Sequence, residues 1–166
     1  LLPDTLQVGT DNIIEVRGAT LFQGYLTENN VRVLPLTDAG WFRTGDVGCL
    51  DEQGCLHVTG RADAMFIVGG ENIHPEEVEA ALGALPGVCR AVVVPLSHEE
   101  YGRVAVAFLD MQEKTVIDAV QLCDRLAEVL PRFKIPRYFL SWPKKYQQGM
   151  KIDRSAFAEE AKNVLL

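Results

Sequence analysis

The chain has 166 residues, 48% of them apolar and 23% charged. That composition suits a globular protein of one ordinary domain, or a small domain with part of another attached. No run approaches the roughly 20 consecutive apolar residues that a membrane-spanning helix needs, and a net charge of −7 disfavours nonspecific binding to nucleic acid or anionic lipid.

The sequence starts at Leu1, with neither Met nor a charged-then-apolar leader, so it reads as a fragment of a longer protein. Cys49, Cys55, Cys89 and Cys123 are far apart without a Cys-x-x-Cys pair, and His57, His74 and His98 bring no zinc-ligand spacing. No metal site is expected. Buried, reduced thiols in a cytoplasmic protein are.

In chain order, Ile13 to Arg17 reads as a strand, Gly18 to Gly24 as a bend, and Val47 to Leu50 with Cys55 to Thr59 as a hairpin closed by Asp51-Glu52-Gln53-Gly54. After Arg61 the pattern changes. Met65 to Val68 reads as a strand that turns through Gly69-Gly70 into a helix, with Pro75 in its first turn and Glu76 and Glu77 near the positive end of its dipole. Val78, Ala81, Leu82 and Leu85 recur at helical spacing until Pro86-Gly87 stops it. Val88 to Leu96 and Arg103 to Leu109 read as strands around a Glu99-Glu100-Tyr101-Gly102 turn. Thr115 to Leu130 reads as the longest helix, its inner face drawn through Val116, Val120, Cys123, Ala127 and Leu130. A strand over Arg137 to Trp142, a polar loop through Gln147-Gln148-Gly149 and a helix from about Ser155 complete the chain. The fold class is α+β, with a β-rich part over residues 1–60 and a compact α+β part over 61–166 holding three or four strands and three helices.

Charge is unevenly placed. From Pro131 to Arg154 there are seven basic residues against one acid, Asp153. A basic face on an acidic body suits a phosphate-bearing small molecule, although charge alone describes a solvated lysine surface equally well.

Four elements in order carry more information than any one of them: Thr44-Gly45-Asp46, Gly60-Arg61-Ala62-Asp63, Gly69-Gly70-Glu71-Asn72-Ile73 and Gly149-Met150-Lys151-Ile152-Asp153-Arg154. Together they resemble the C-terminal part of the adenylate-forming superfamily that includes acyl-CoA synthetases, luciferases and peptide synthetases. Glu15-Val16-Arg17-Gly18 and Gly24-Tyr25 extend the resemblance upstream. Leu34-Pro35-Leu36, Gly40-Trp41-Phe42 and the Gly69 to Glu77 stretch look most like the o-succinylbenzoate–CoA ligases of menaquinone synthesis, while fatty-acyl-CoA and aryl-CoA ligases share the Gly-Gly-Glu-Asn-Ile element.

The resemblance implies a role for each matching residue. Residues 1–60 become the β-rich end of a large nucleotide-binding domain, and 61–166 a mobile lid. Lys151 becomes the catalytic lysine that neutralises charge on the α-phosphate, with Met150 as a one-residue departure from the family's Gly-Lys-Ile pattern. Asp46 takes the ribose hydroxyls of ATP, a task for a carboxylate that accepts two hydrogen bonds; Arg61 serves the ribose and phosphates, and Val58 borders the nucleotide. Asp63 is the hinge, and Gly69 and Gly70 face the pantetheine chain of CoA. ATP with Mg2+, whose ligands belong upstream of this chain, CoA and a carboxylic acid are the implied substrates, with the large domain as partner. The isolated fragment is expected to be inactive. A carrier-protein-loading adenylation domain and a noncatalytic interaction module are the other readings.

Overall fold

Period-two alternation of apolar residues decides the larger architecture. The computed structural model describes residues 4–112, 118–146 and 152–166, and the chain divides into two units, Leu1–Ala64 and Met65–Leu166.

In the second unit, β9 (Val88–His98) and β10 (Gly102–Met111) form an antiparallel hairpin, and β11 (Tyr138–Ser141) pairs parallel with β10, giving the order β11-β10-β9. Successive side chains on a strand point to opposite faces, so this sheet builds two cores. Val93, Ala105, Ala107 and Leu109 face one layer, where Val78 and Leu82 of α1 (Pro75–Gly83) and Leu122 and Leu126 of α2 (Ala119–Ala127) cover them. Val92, Val94, Leu96, Val104, Val106 and Phe108 face the other layer, under Phe157 and Ala161 of α3 (Arg154–Leu165). A short hairpin, β7 (Phe66–Val68) with β8 (Glu71–Ile73), adds Phe66 and Ile73 to the first core.

The first unit is an antiparallel sheet in the order β1-β2-β5-β6, made by Leu6–Val8, Ile13–Val16, Phe42–Leu50 and Leu56–Arg61, with a separate ribbon of β3 (Tyr25–Leu26) and β4 (Arg32–Val33). The Asp51 turn forms as its sequence dictates: Asp51 Oδ1 accepts from the Gln53 and Cys55 amides, and Gly54 takes a φ of 77°. Ile13, Ile14 and Trp41 are buried there, the indole lying under the Arg17 guanidinium at 4.2 Å. The α+β class with a β-rich first part is the observed one.

Three expectations are corrected. Residues 115–117 of the long helix lie outside the described residues; its described part starts at Ala119, because the Asp118 carboxylate caps the Val120 and Gln121 amides. Val120 and Ala127 are exposed and Cys123 is only partly covered, while Leu122, Leu126 and Leu130, four apart, are buried. The cysteines are free but not buried. Cys49, Cys55 and Cys89 are exposed, Cys89 because it alternates with buried Val88 on β9. Glu71-Asn72-Ile73 is a strand, so Gly69-Gly70 closes a hairpin and does not lead into the helix. Among the described residues no helix is long and apolar enough to cross a membrane.

Candidate functional site

In the first unit the Thr-Gly-Asp element lies within a strand, not at an isolated turn. The Thr44 hydroxyl donates to the Ile14 carbonyl at 2.9 Å and accepts the Asp46 amide at 3.0 Å, tying β5 to β2 and fixing Asp46 from its own backbone. Gly45 has a φ of 78°, and a Cβ added there would lie 3.2 Å from Arg61 Nη2. Glycine therefore serves both the backbone bend and the passage of an arginine across the strand.

That arginine is brought in by strand register. Asp46 pairs with Arg61 across β5 and β6, next to a register shift at Val47 and Gly48. Arg61 Nη1 donates to Asp46 Oδ1 at 3.2 Å and to the Thr44 carbonyl at 3.3 Å. Its Nε and Nη2 donate to the two carboxylate oxygens of Asp63, both at 3.1 Å. Asp63 sits in the turn after β6, where the Ala64 amide reaches back to the Arg61 carbonyl. One guanidinium thus joins Asp46, Arg61 and Asp63. The hydrogen bonds from Arg61 hold the Asp63 carboxyl below the usual carboxylate range, and Asp63 in turn raises the Arg61 guanidinium. Val58, on β6 opposite Gly48, is 62% exposed, so it is not a core residue and presents an apolar surface to solvent.

In the second unit Gly69 and Gly70 have φ values of 57° and 90° in a two-residue loop, with Val68 paired to Glu71. Both central residues at positive φ are what a type I′ hairpin requires, and only glycine takes both without strain. Gly69 lines a cleft of about 310 Å³ shared with Tyr101, Arg132, Phe133 and Arg137. The Arg137 guanidinium lies 5.2 Å from the Tyr101 ring centroid. Two arginines and two aromatic rings around an open glycine turn give phosphate donors beside stacking surfaces.

The expected basic face is smaller than the sequence suggests. Lys134 Nζ sits 2.6 Å from both carboxylate oxygens of Glu77, Lys145 Nζ lies 2.5 Å from Glu160, and Arg154 is held by Glu76 and Glu79. Acids on α1 and α3 neutralise these cations, which leaves the cleft arginines Arg132 and Arg137 more prominent. Lys151, with Gln147-Gln148-Gly149 and Met150, lies outside the described residues. Among the described residues no group of three or more His, Cys, Asp or Glu is placed to hold a metal ion.

Sequence reasoning did not foresee the Arg61 clamp, whose signal was the Arg-x-Asp spacing in Arg61-Ala62-Asp63. It also missed the cleft arginines as a pair, and the Arg154 pairing with residues more than seventy positions earlier.

The family "AMP-binding enzyme C-terminal domain" matches residues 77–146. The chain is 38% identical over 137 residues to a 2-succinylbenzoate–CoA ligase of Listeria innocua, covering 82% of this chain and 29% of that protein. It is 38% identical over 129 residues to an indoleacetate–CoA ligase of Aromatoleum aromaticum, covering 78% of this chain and 25% of that protein. Among solved structures, wild-type E. coli MenE with a bound analogue of OSB-AMS superposes with a TM-score of 0.77 at 30% identity, over 95% of this chain and 34% of that one. The chain thus spans between a quarter and three tenths of the length of these two curated relatives. Residues 77–146 therefore match the AMP-binding enzyme C-terminal domain, and the chain is similar to the corresponding part of acid–CoA ligases.

Proposed function

We propose that the chain is the C-terminal portion of a cytoplasmic, ATP-dependent acid–CoA ligase that works in two half-reactions: a carboxylate attacks ATP to give an acyl-adenylate and pyrophosphate, and the CoA thiol then attacks the adenylate to give an acyl-CoA thioester and AMP. The observation that carries this reading is the single Arg61 guanidinium holding Asp46 on one side and Asp63 on the other. Adenylation needs a fixed acceptor for the ribose hydroxyls and cationic donors for phosphate. Asp46, immobilised by Arg61 and by its own amide on Thr44, supplies the first, and Arg61 the second. Val58 offers an apolar edge to the nucleotide.

Lys151 is the group assigned to the α-phosphate during adenylation. Mg2+ would accompany ATP on the upstream domain and neutralise phosphate charge there. Asp63 is assigned as the hinge, and the Gly69-Gly70 turn with its arginine-lined cleft as the element that receives CoA for the second half-reaction. The acid we favour is o-succinylbenzoate, supported by the Listeria relative and the MenE structure. The indoleacetate–CoA ligase relative, equally identical, favours an aryl acid as the second reading.

The test is AMP release by the full protein containing this chain, given ATP, Mg2+ and CoA with o-succinylbenzoate, indoleacetate and a panel of fatty acids. Turnover with o-succinylbenzoate alone supports the menaquinone assignment. Turnover with another acid keeps the mechanism and changes the substrate, turnover on a carrier protein but not CoA changes the acceptor, and no AMP with any acid removes the ligase reading. Within an active enzyme, Lys151→Ala is expected to abolish acyl-adenylate formation while sparing thioester formation from supplied acyl-adenylate. Asp63→Pro is expected to do the reverse.

A further inference from the structure

Among the described residues no strand pairs with β9 on the side away from β10. Register decides which main-chain groups of β9 face that open side. On β10 the Ala105 and Leu109 carbonyls turn toward β11 and its ends, where they accept the Arg137 and Trp142 amides at 2.9 Å. Ala105 pairs with Pro95, and Ala107, two residues on, pairs with Val93, so the main-chain groups of Pro95 and Val93 point outward. Pro95 has no amide hydrogen to leave unpaired there. Val93 has one, and Val93 is nonetheless wholly buried. Glu79 and Arg154 account for this. Glu79 Oε1 accepts the Val93 amide at 2.7 Å, and Arg154 Nη1 donates to the Val93 carbonyl at 3.2 Å. The guanidinium also holds both carboxylate oxygens of Glu79, and Glu76 Oε1 at 3.1 Å. Glu79 comes from α1 on one face of the sheet and Arg154 from α3 on the other. The pair therefore passes round the sheet edge and gives Val93 the donor and acceptor that a neighbouring strand would give.

We infer that Glu79 and Arg154 form a latch over the outer edge of β9, and that the partner it shuts out is the same edge of a second copy of this chain. An open edge on a strand of 11 residues is a template for pairing with another chain. This edge is self-complementary. Two copies related by a two-fold axis at Val93 run antiparallel, each Val93 amide meeting the other Val93 carbonyl and Val92 of each opposite Val94 of the other. Cys89 and Ser97 are exposed, so the rest of the edge offers little resistance. A carboxylate–guanidinium pair suits the closure, because it satisfies both main-chain groups at once and neither charge is easily displaced from a partly buried place. The latch serves the second unit itself, whichever acid or acceptor the full protein takes.

The test uses the full protein containing this chain, with Glu79→Ala and Arg154→Ala combined so that neither member of the pair is left alone. Sedimentation velocity across about 1–100 µM reports association, and amide hydrogen exchange at Val93 is followed at both ends of that range. The double variant is expected to associate one step beyond the wild-type state as concentration rises. When dilute, its Val93 amide should exchange roughly tenfold or more faster than in the wild type, as for a lost hydrogen bond. When concentrated it should slow again, because the second copy's strand now covers it. Adding Ala91→Pro, which removes another outward amide, should abolish the association and leave exchange fast at every concentration. Glu79→Gln alone, which keeps an acceptor for the Val93 amide, should stay in the wild-type state. If the double variant does not fold, Glu79→Ala alone should show the same two changes to a smaller degree. An unchanged Val93 amide, faster exchange without association, or association that Ala91→Pro does not remove overturns the inference.

Discussion

The two units hold their apolar residues in opposite ways. In Met65–Leu166 both faces of a sheet are covered, by α1 and α2 on one side and α3 on the other. Among the described residues of Leu1–Ala64 the buried large apolar side chains are Ile13, Ile14 and Trp41, while Phe22, Tyr25, Leu26, Val31, Val33 and Val58 stand open. The first arrangement removes apolar area from water from within; the second relies on cross-strand pairs, capped turns and ion pairs. The residues proposed for nucleotide lie in the less self-sufficient unit, and the glycine turn lies in the more self-sufficient one.

The contrast breaks most visibly under truncation of one ring in each unit. Phe157 is 2% exposed and meets the rings of Phe108, Trp142 and Tyr146 at 5.1, 5.1 and 4.6 Å. Phe157→Ala is expected to cost about 3–5 kcal/mol in urea unfolding of the second unit. Tyr25→Ala, in a ring already 57% exposed although it touches Phe22 edge-on at 4.8 Å, is expected to cost about 1 kcal/mol or less. Equal costs would mean that Tyr25 is covered by something in solution, and the contrast would fail.

Two glycines sharpen the same point. Gly48 is buried on β5, and a Cβ there would lie 2.4 Å from the His57 carbonyl, so Gly48→Ala must push β6 away. The expected cost is about 1–3 kcal/mol, with weaker pairing of the strands that hold Asp46 and Arg61. Gly70→Ala meets nothing within 4 Å but keeps a φ of 90°. Its cost is backbone strain alone, about 1 kcal/mol. Melting curves of both variants, with CoA-dependent and ATP-dependent steps followed separately, check whether each glycine acts only in its own unit.

The sequence made the second unit's sheet legible because alternation in Val88 to Leu96 and Arg103 to Leu109 leaves little freedom once both faces are covered. It made the Asp51 turn legible because Asp and Gly at those positions have local reasons to be there. What it hid depends on distance along the chain. The parallel pairing of Tyr138 to Ser141 with β10 and the Arg154 bridge to Glu76 and Glu79 are tertiary facts with no local signature. The face of α2 was misread because the helix carries two apolar stripes, one through Val120, Cys123 and Ala127 and one through Leu122 and Leu126, and only packing against the sheet selects the second. At the site, the motifs marked Asp46, Arg61 and Asp63 one at a time. Only the register of β5 against β6 brings Arg61 opposite Asp46.

The smallest effect tests whether the exposed Arg61 cluster is a pH-sensitive device or a fixed one. Arg61 hydrogen bonds lower the Asp63 carboxyl from its ordinary value of 3.8. A carboxyl lowered on folding adds stability above its unfolded value, and that contribution is lost as pH falls through the lower folded value. The window therefore lies in acid, at and below about pH 4. Both partners are solvent-exposed and screened, so the contribution to stability is small. Following the Asp63 carboxyl carbon by NMR, Arg61→Gln should return its titration to the ordinary range. Asp51, lowered by its hydrogen bond to His57 in the same unit, should be unmoved. From about pH 5 to 9 the Asp63 charge is then constant. A pH dependence of the proposed thioester step in that range must come from another group, and opening the turn at Asp63 requires breaking its two hydrogen bonds to Arg61, not titrating it. An Asp63 midpoint near neutrality would reverse that conclusion and make the turn itself respond to pH.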